Sequence, residues 1–168
     1  KNVNTLIQEL EALLRDDQTG SPAYAELRRR FGWEFNGMRL HELYFGNMTP
    51  ASAALAEDAP LVRNLRRTYG AYAHWEKDFR AVAAMRGIGW AVLYYDSERQ
   101  RFFNVWVNEH DTGHLAGAVP LLVLDVFEHA YTLDYGIKKA DYIEAFFRAI
   151  DWAALSKRSA ERRPGLGG

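Results

Sequence analysis

Pro120–Leu121–Leu122–Val123–Leu124–Asp125–Val126–Phe127–Glu128–His129–Ala130–Tyr131 is the stretch on which the reading of this chain turns. An apolar run delivers a carboxylate at Asp125, and an imidazole follows four residues later at His129. An ionised Asp in apolar surroundings is unfavourable unless something compensates it. A metal ion does so, and Asp oxygen with His nitrogen is an ordinary ligand pair. The same spacing also fits a strand-end cap followed by a buried imidazole, so spacing alone leaves both readings open.

The run from Val119 to Leu124 reads as a fully buried strand. Upstream, Trp90 to Tyr95 is rich in β-formers and follows the breakers Gly87 and Gly89. Asp96–Ser97–Glu98 reads as a turn, after which Phe103, Val105 and Val107 alternate with Phe102, Asn104 and Trp106 as in a strand. Downstream, Tyr142, Ile143, Phe146, Phe147 and Ile150 form the apolar face of a closing helix.

Three helical patterns precede the strands. Val3, Leu6, Ile7, Leu10, Leu13 and Leu14 share one face. A second pattern runs from about Ala23 to Met48, with an irregularity expected at Gly32 and Gly37 and an end at Thr49–Pro50. A third runs from Leu61 to Met85. Residues 47–60 are small, acidic and Pro-containing, which places an internal boundary there. The expectation is an N-terminal helical hairpin domain over residues 1–55 and an α/β domain over residues 56–168. The basic end from Lys157 to Gly168 reads as a frayed tail. Short-linked neighbouring strands among helices predict an α+β fold with a small three-stranded antiparallel sheet flanked by helices.

With 168 residues, 48% of them hydrophobic, the chain can bury a sizeable core. Its 21 basic and 22 acidic side chains leave a net charge of -1, which supports neither a nucleic-acid surface nor a polybasic membrane anchor. No apolar run approaches the roughly 20 residues that span a bilayer. The absence of cysteine excludes disulfides and thiolate ligands, so protein metal ligands must come from the five His and the carboxylates. There is no internal repeat and no Gly-rich phosphate loop. A cytoplasmic location is expected, although cysteine absence is compatible with any compartment. The helical pattern already under way at Lys1 leads us to expect an upstream segment.

His41 lies in Phe35–Asn36–Gly37–Met38–Arg39–Leu40–His41–Glu42–Leu43–Tyr44–Phe45–Gly46–Asn47–Met48–Thr49–Pro50. Leu40, Tyr44 and Phe45 set it near the apolar side of a helix, as a satisfied core imidazole or as a ligand. His110 and His114 fall in a polar loop after a strand, where exposure is the default. His74 belongs to a later helix, at the surface or in the core.

The segment from Pro120 to Trp152 resembles the C-terminal signature of iron/manganese superoxide dismutases, in which the Asp and His of D-x-W-E-H-A both bind the metal. The segment around His41 resembles that family's N-H-x-x-F-W-x-N-L-x-P helix, and Gly87–Ile88–Gly89–Trp90 its G-S-G-W. The spacing from His110 to Pro120 fits as well, with His110 where many members carry Gln. The resemblance runs from the first helix to Trp152. It implies metal-dependent disproportionation of superoxide by one iron or manganese ion per subunit, in a homodimer or higher homo-oligomer.

It further implies that His41, Asp125 and His129 are metal ligands, with a fourth ligand His, and a Tyr gating the substrate funnel, upstream of residue 1. His110 would hydrogen-bond the metal-bound solvent, Trp90 and Phe127 would wall the site, and Glu128 would cross a dimer interface. Phe127 and Phe45 replace common Trp residues, Thr132 replaces an interface Tyr, and Lys139 stands where an Arg often sits. Those departures keep two other expectations open: a non-enzymatic structural or interaction protein on the same fold, and a metal site with different chemistry.

Overall fold

The computed structural model of the chain describes residues 2–161. Two helices open it, α1 (Asn2–Arg15) and α2 (Pro22–Phe45). Val3, Leu6 and Leu10 of α1 are buried, but Ile7 and Leu14 are exposed, so the apolar face read from sequence is only partly covered. The start of α2 is set locally. Ser21 accepts the Tyr24 N–H through its hydroxyl at 3.1 Å, and Pro22 occupies the first turn, where its missing N–H is harmless. The irregularity expected at Gly32 and Gly37 does not occur: α2 runs unbroken for 24 residues and is capped at Gly46, ahead of the Thr49–Pro50 stop.

The helical pattern over Leu61 to Met85 forms two helices, α3 (Pro60–Tyr69) and α4 (Tyr72–Ala84). Gly70 adopts φ +81, which only glycine takes up readily, and the chain turns there. The turn aims Trp75, Phe79 and Ala83, all fully buried, at the sheet.

That sheet holds β1 (Gly89–Asp96), β2 (Arg101–Asn108) and β3 (Val119–Asp125), all antiparallel in the order β2-β1-β3. β1 lies in the middle, which is why Trp90 to Tyr95 is buried on both faces. Asp96 closes the β1–β2 hairpin by accepting the N–H groups of Glu98 and Arg99. The alternation read in β2 is not a clean inside–outside pattern, since Phe102 and Val107 are buried and the four residues between are half-buried. The α+β expectation of helices around a three-stranded antiparallel sheet is borne out.

Among the described residues β3 is followed by a 3-10 turn (Glu128–Ala130), the one-turn α5 (Thr132–Tyr135), α6 (Lys139–Ala149) and α7 (Trp152–Glu161). Tyr142, Ile143 and Phe146 bury the inner face of α6. The expected frayed tail is corrected as far as Glu161. Leu155 and Ser159 of α7 are buried, and Arg158 donates to the Asn47 side-chain oxygen at 3.0 Å and to the Leu121 carbonyl. Residues 162–168 lie outside the described residues. Asn47, itself fully buried, donates to the Val123 carbonyl at 2.6 Å and so joins the end of α2, strand β3 and α7.

Replacing Asn47 by the similar-sized Leu strands the Val123 carbonyl and takes one of its acceptors from Arg158. A buried group left unpaired costs about 1–3 kcal/mol, so we expect Asn47→Leu to lower the unfolding free energy by about 2 kcal/mol in urea titration. Lys157→Ala, on the exposed side of α7, should change it little.

Candidate metal centre

His41 comes from the middle of α2, Asp125 from the last residue of β3, and His129 from the single 3-10 turn Glu128–Ala130. Their donor atoms gather within 4.8 Å of one another. Asp125 Oδ2 is the point of convergence, 3.5 Å from His41 Nε2 and 3.2 Å from His129 Nε2. His41 Nδ1 lies 2.7 Å from the Gly37 carbonyl, which can only accept, so the ring proton sits on Nδ1 and Nε2 presents a lone pair. A lone pair facing a carboxylate oxygen is repulsive unless a cation or a proton lies between them. The donor set therefore fits a metal ion.

The carboxylate is held from several sides. Asp125 is 1% exposed, and its other oxygen accepts the Phe127 N–H at 2.9 Å. Burial pushes the carboxyl above its usual range, while that N–H and the two imidazoles pull it back. The Asp125 backbone carbonyl accepts from the Tyr142 hydroxyl at 2.7 Å, and Tyr142 in turn accepts from the Tyr44 hydroxyl at 2.9 Å. Burial raises both phenols, keeping them protonated donors. Neither tyrosine was singled out from sequence, although Tyr44 sits three residues after His41 on the same helix.

Aromatic rings enclose the cluster. Trp90, fully buried, stands edge-on to His41 at 4.8 Å and donates its indole N–H to His110 Nδ1 at 3.0 Å. His110 therefore carries its proton on Nε2. The default of an exposed loop histidine is corrected, because His110 is 8% exposed. Burial lowers its pKa, and the nearby His41 lowers it further. Its ring lies over Gly37, where an added Cβ would meet His110 Cδ2 at 3.0 Å and Nε2 at 3.2 Å. Phe127 is 4.9 Å from the His110 ring and 5.2 Å from the His129 ring.

Trp33, missed from sequence, packs edge-on against His110 at 4.5 Å and donates to the Glu109 carboxylate at 3.1 Å. Its spacing was a signal, since Trp33, Gly37 and His41 recur every four residues on one side of α2. A cleft of about 330 Å³ leads in past Trp33, Glu34, Gly37 and Met38 to His41 and His110.

The remaining candidates lie outside this cluster. Glu128 and Thr132 are exposed, and Thr132 donates to the Glu128 carbonyl. The Lys139 ammonium donates to the Met85 carbonyl at 2.8 Å and stands over the Trp106 ring. His74 is exposed.

Residues 57–158 match the family model for iron/manganese superoxide dismutases, C-terminal domain. A manganese superoxide dismutase of Haloferax volcanii is 42% identical over 117 residues, covering 70% of this chain and 58% of that protein. An iron superoxide dismutase of Saccharolobus solfataricus is 34% identical over 158 residues, covering 92% of this chain and 75% of that protein. One from Cupriavidus metallidurans is 33% identical over 164 residues, covering 95% and 80%. The chain thus spans less than two thirds of the haloarchaeal relative and more of the other two.

Two glycines of α2 separate packing from propensity. Ala is favoured over Gly inside a helix by about 1 kcal/mol. A Cβ at Gly32 meets nothing within 4 Å, so Gly32→Ala should stabilise by about that amount. At Gly37 the Cβ presses on a His110 ring that Trp33, Trp90 and Phe127 hem in, so Gly37→Ala should gain nothing or lose stability. Thermal unfolding of the two variants side by side decides it.

Proposed function

The chain belongs to the iron/manganese superoxide dismutase family, and on that premise we propose that its protein disproportionates superoxide to dioxygen and hydrogen peroxide. The convergence of His41 and His129 on Asp125 Oδ2, beside the buried His110, carries this reading. His41, Asp125 and His129 would hold the metal. One bound iron or manganese ion supplies the one-electron chemistry by which two superoxide ions and two protons become dioxygen and hydrogen peroxide.

The protein's own residues do the rest. Asp125 offers negative charge where burial strengthens its attraction for a cation. His110, whose Nδ1 accepts from Trp90, carries its proton on Nε2 and offers it as a hydrogen-bond donor beside the three ligands. Phe127, Trp90 and Trp33 restrict the approach to a small anion and few waters. Loss of the carboxylate ligand exceeds what outer partners of a metal site cost, about 10–100-fold. In the full-length protein, Asp125→Ala should therefore abolish iron or manganese binding in elemental analysis and lower superoxide consumption by at least about a hundredfold. Wild-type protein that is folded yet neither binds metal nor consumes superoxide would favour a structural role for this fold, and metal without turnover a different chemistry.

We further infer a homodimer. The His129 side chain is 60% exposed and Phe45 is 65% exposed, although a ligand of a dry site needs cover. A second copy of this face supplies it, with Glu128 of each copy reaching the other. Light scattering should give twice the chain mass for wild type and a monomer for Glu128→Lys. A monomeric wild type at micromolar concentration overturns it.

A further inference from the structure

His110 reaches the site from a loop, and the loop is shaped so that one of its own residues returns to hold it. Gly113 adopts φ +105, and a Cβ there would lie 2.7 Å from the Trp106 carbonyl, so the chain passes close over β2 where only glycine fits. The residue after it, His114, is thereby brought back beneath His110. His114 Nε2 lies 2.9 Å from the His110 carbonyl, and its Nδ1 lies 2.6 Å from the Tyr94 hydroxyl.

A carbonyl only accepts, so His114 carries its proton on Nε2 and Nδ1 accepts from Tyr94. Burial pushes the Tyr94 phenol up to about 12, so it remains a donor through the neutral range. Tyr94 is itself 2% exposed and lies on the central strand β1, four residues after Trp90. One strand therefore holds both ends of His110: Trp90 bonds the ring at Nδ1, and Tyr94 acts through His114 on the carbonyl.

We propose that His114, oriented by Tyr94, is a positioning residue that fixes the His110 ring against Trp90 and over Gly37 at the metal centre. The role rests on the superoxide-consuming reading for its functional consequence but not for its structural one. Without the His114 bond, the His110 carbonyl loses its side-chain partner inside a loop otherwise closed by the Asn108–Thr112 backbone pair, and the Trp90–His110 hydrogen bond loosens. Outer partners that orient residues at a metal site typically change activity about 10–100-fold, and His114 acts one step further out.

The test follows hydrogen exchange of the Trp90 indole N–H in the metal-free chain, assigned with Trp90→Phe, alongside turnover of the metal-loaded full-length protein. For His114→Ala we expect at least about tenfold faster indole exchange and about tenfold lower turnover, with β1 backbone amides exchanging as in wild type. His114→Gln, whose amide nitrogen can stand where Nε2 stood, should restore most of both. Tyr94→Phe, which removes one oxygen and keeps the ring, should fall between. A folded His114→Ala protein with indole exchange within about twofold of wild type overturns the proposal, as does a Gln variant no better than Ala. Should exchange change as expected while no protein in the series consumes superoxide, the positioning role stands and the proposed reaction fails.

Discussion

Trp90 of β1 and Asp125 of β3 face each other across an antiparallel ladder. Opposed residues in such a pair project to the same face, so the indole and the carboxylate stand side by side, and the centre is built around them. β2 pairs with the other edge of β1, Val107 opposite Trp90 and Asn108 opposite Gly89. The loop leaving β2 therefore begins at the same end of the sheet where β3 finishes, and it delivers His110 beside Trp90. A register slip of one residue would send Asp125 to the opposite face. The single irregularity between β1 and β3 falls at Leu93/Tyr94, away from that pair.

Burying a carboxylate opposes folding by several kcal/mol unless charge and hydrogen bonds answer it. A typical hydrogen bond contributes only about 1 kcal/mol net. The Phe127 N–H and the Tyr44–Tyr142 pair on the Asp125 carbonyl therefore matter less as energy than as geometry. They tie α2 and α6 to the Asp125 backbone at the end of β3 and fix its carboxylate from the following turn. A phenol acting on a carbonyl through an intermediary recurs at His110, where Tyr94 works through His114. In both places a protonated, buried tyrosine holds the backbone of a residue whose side chain must point into the site.

What the sequence made legible was local. The apolar run ending at Asp125, the four-residue step to His129 and the helix around His41 are short-range patterns. The structure brings His41, Asp125 and His129 together with Trp90, Phe127 and His110. What stayed hidden was set over long separations. The buried state of His110 depends on Trp33, and Trp33 is tied to the same loop by a bond to Glu109 that spans 76 residues. The part of α7 from Lys157 onward looked like a solvated basic tail because its composition does not reveal that Arg158 meets Asn47, 111 residues away. Gly37 looked like a helix defect, but its small size serves His110, a neighbour that local periodicity cannot see.

The three donors differ sharply in exposure: the Asp125 side chain is 2% exposed, His41 35% and His129 60%. The charged donor is the deepest and ends an edge strand of the sheet, while the two imidazoles, which can be desolvated while neutral at far lower cost, stand toward the rim. This order divides the work. The carboxylate's field acts in a poorly screened environment and sets the attraction for a cation. In the proposed centre the rim imidazoles would complete the grip without burying further charge. The core around Trp75, Phe79, Leu93 and Leu122 is fully buried without recourse to any of these donors. The fold therefore rests on apolar packing, unlike small domains whose structure is held by their metal. Ion binding can thus be tuned by residues at the border of that core, such as Phe127 and His110, with less effect on the architecture than a change at the core residue Trp90 would have.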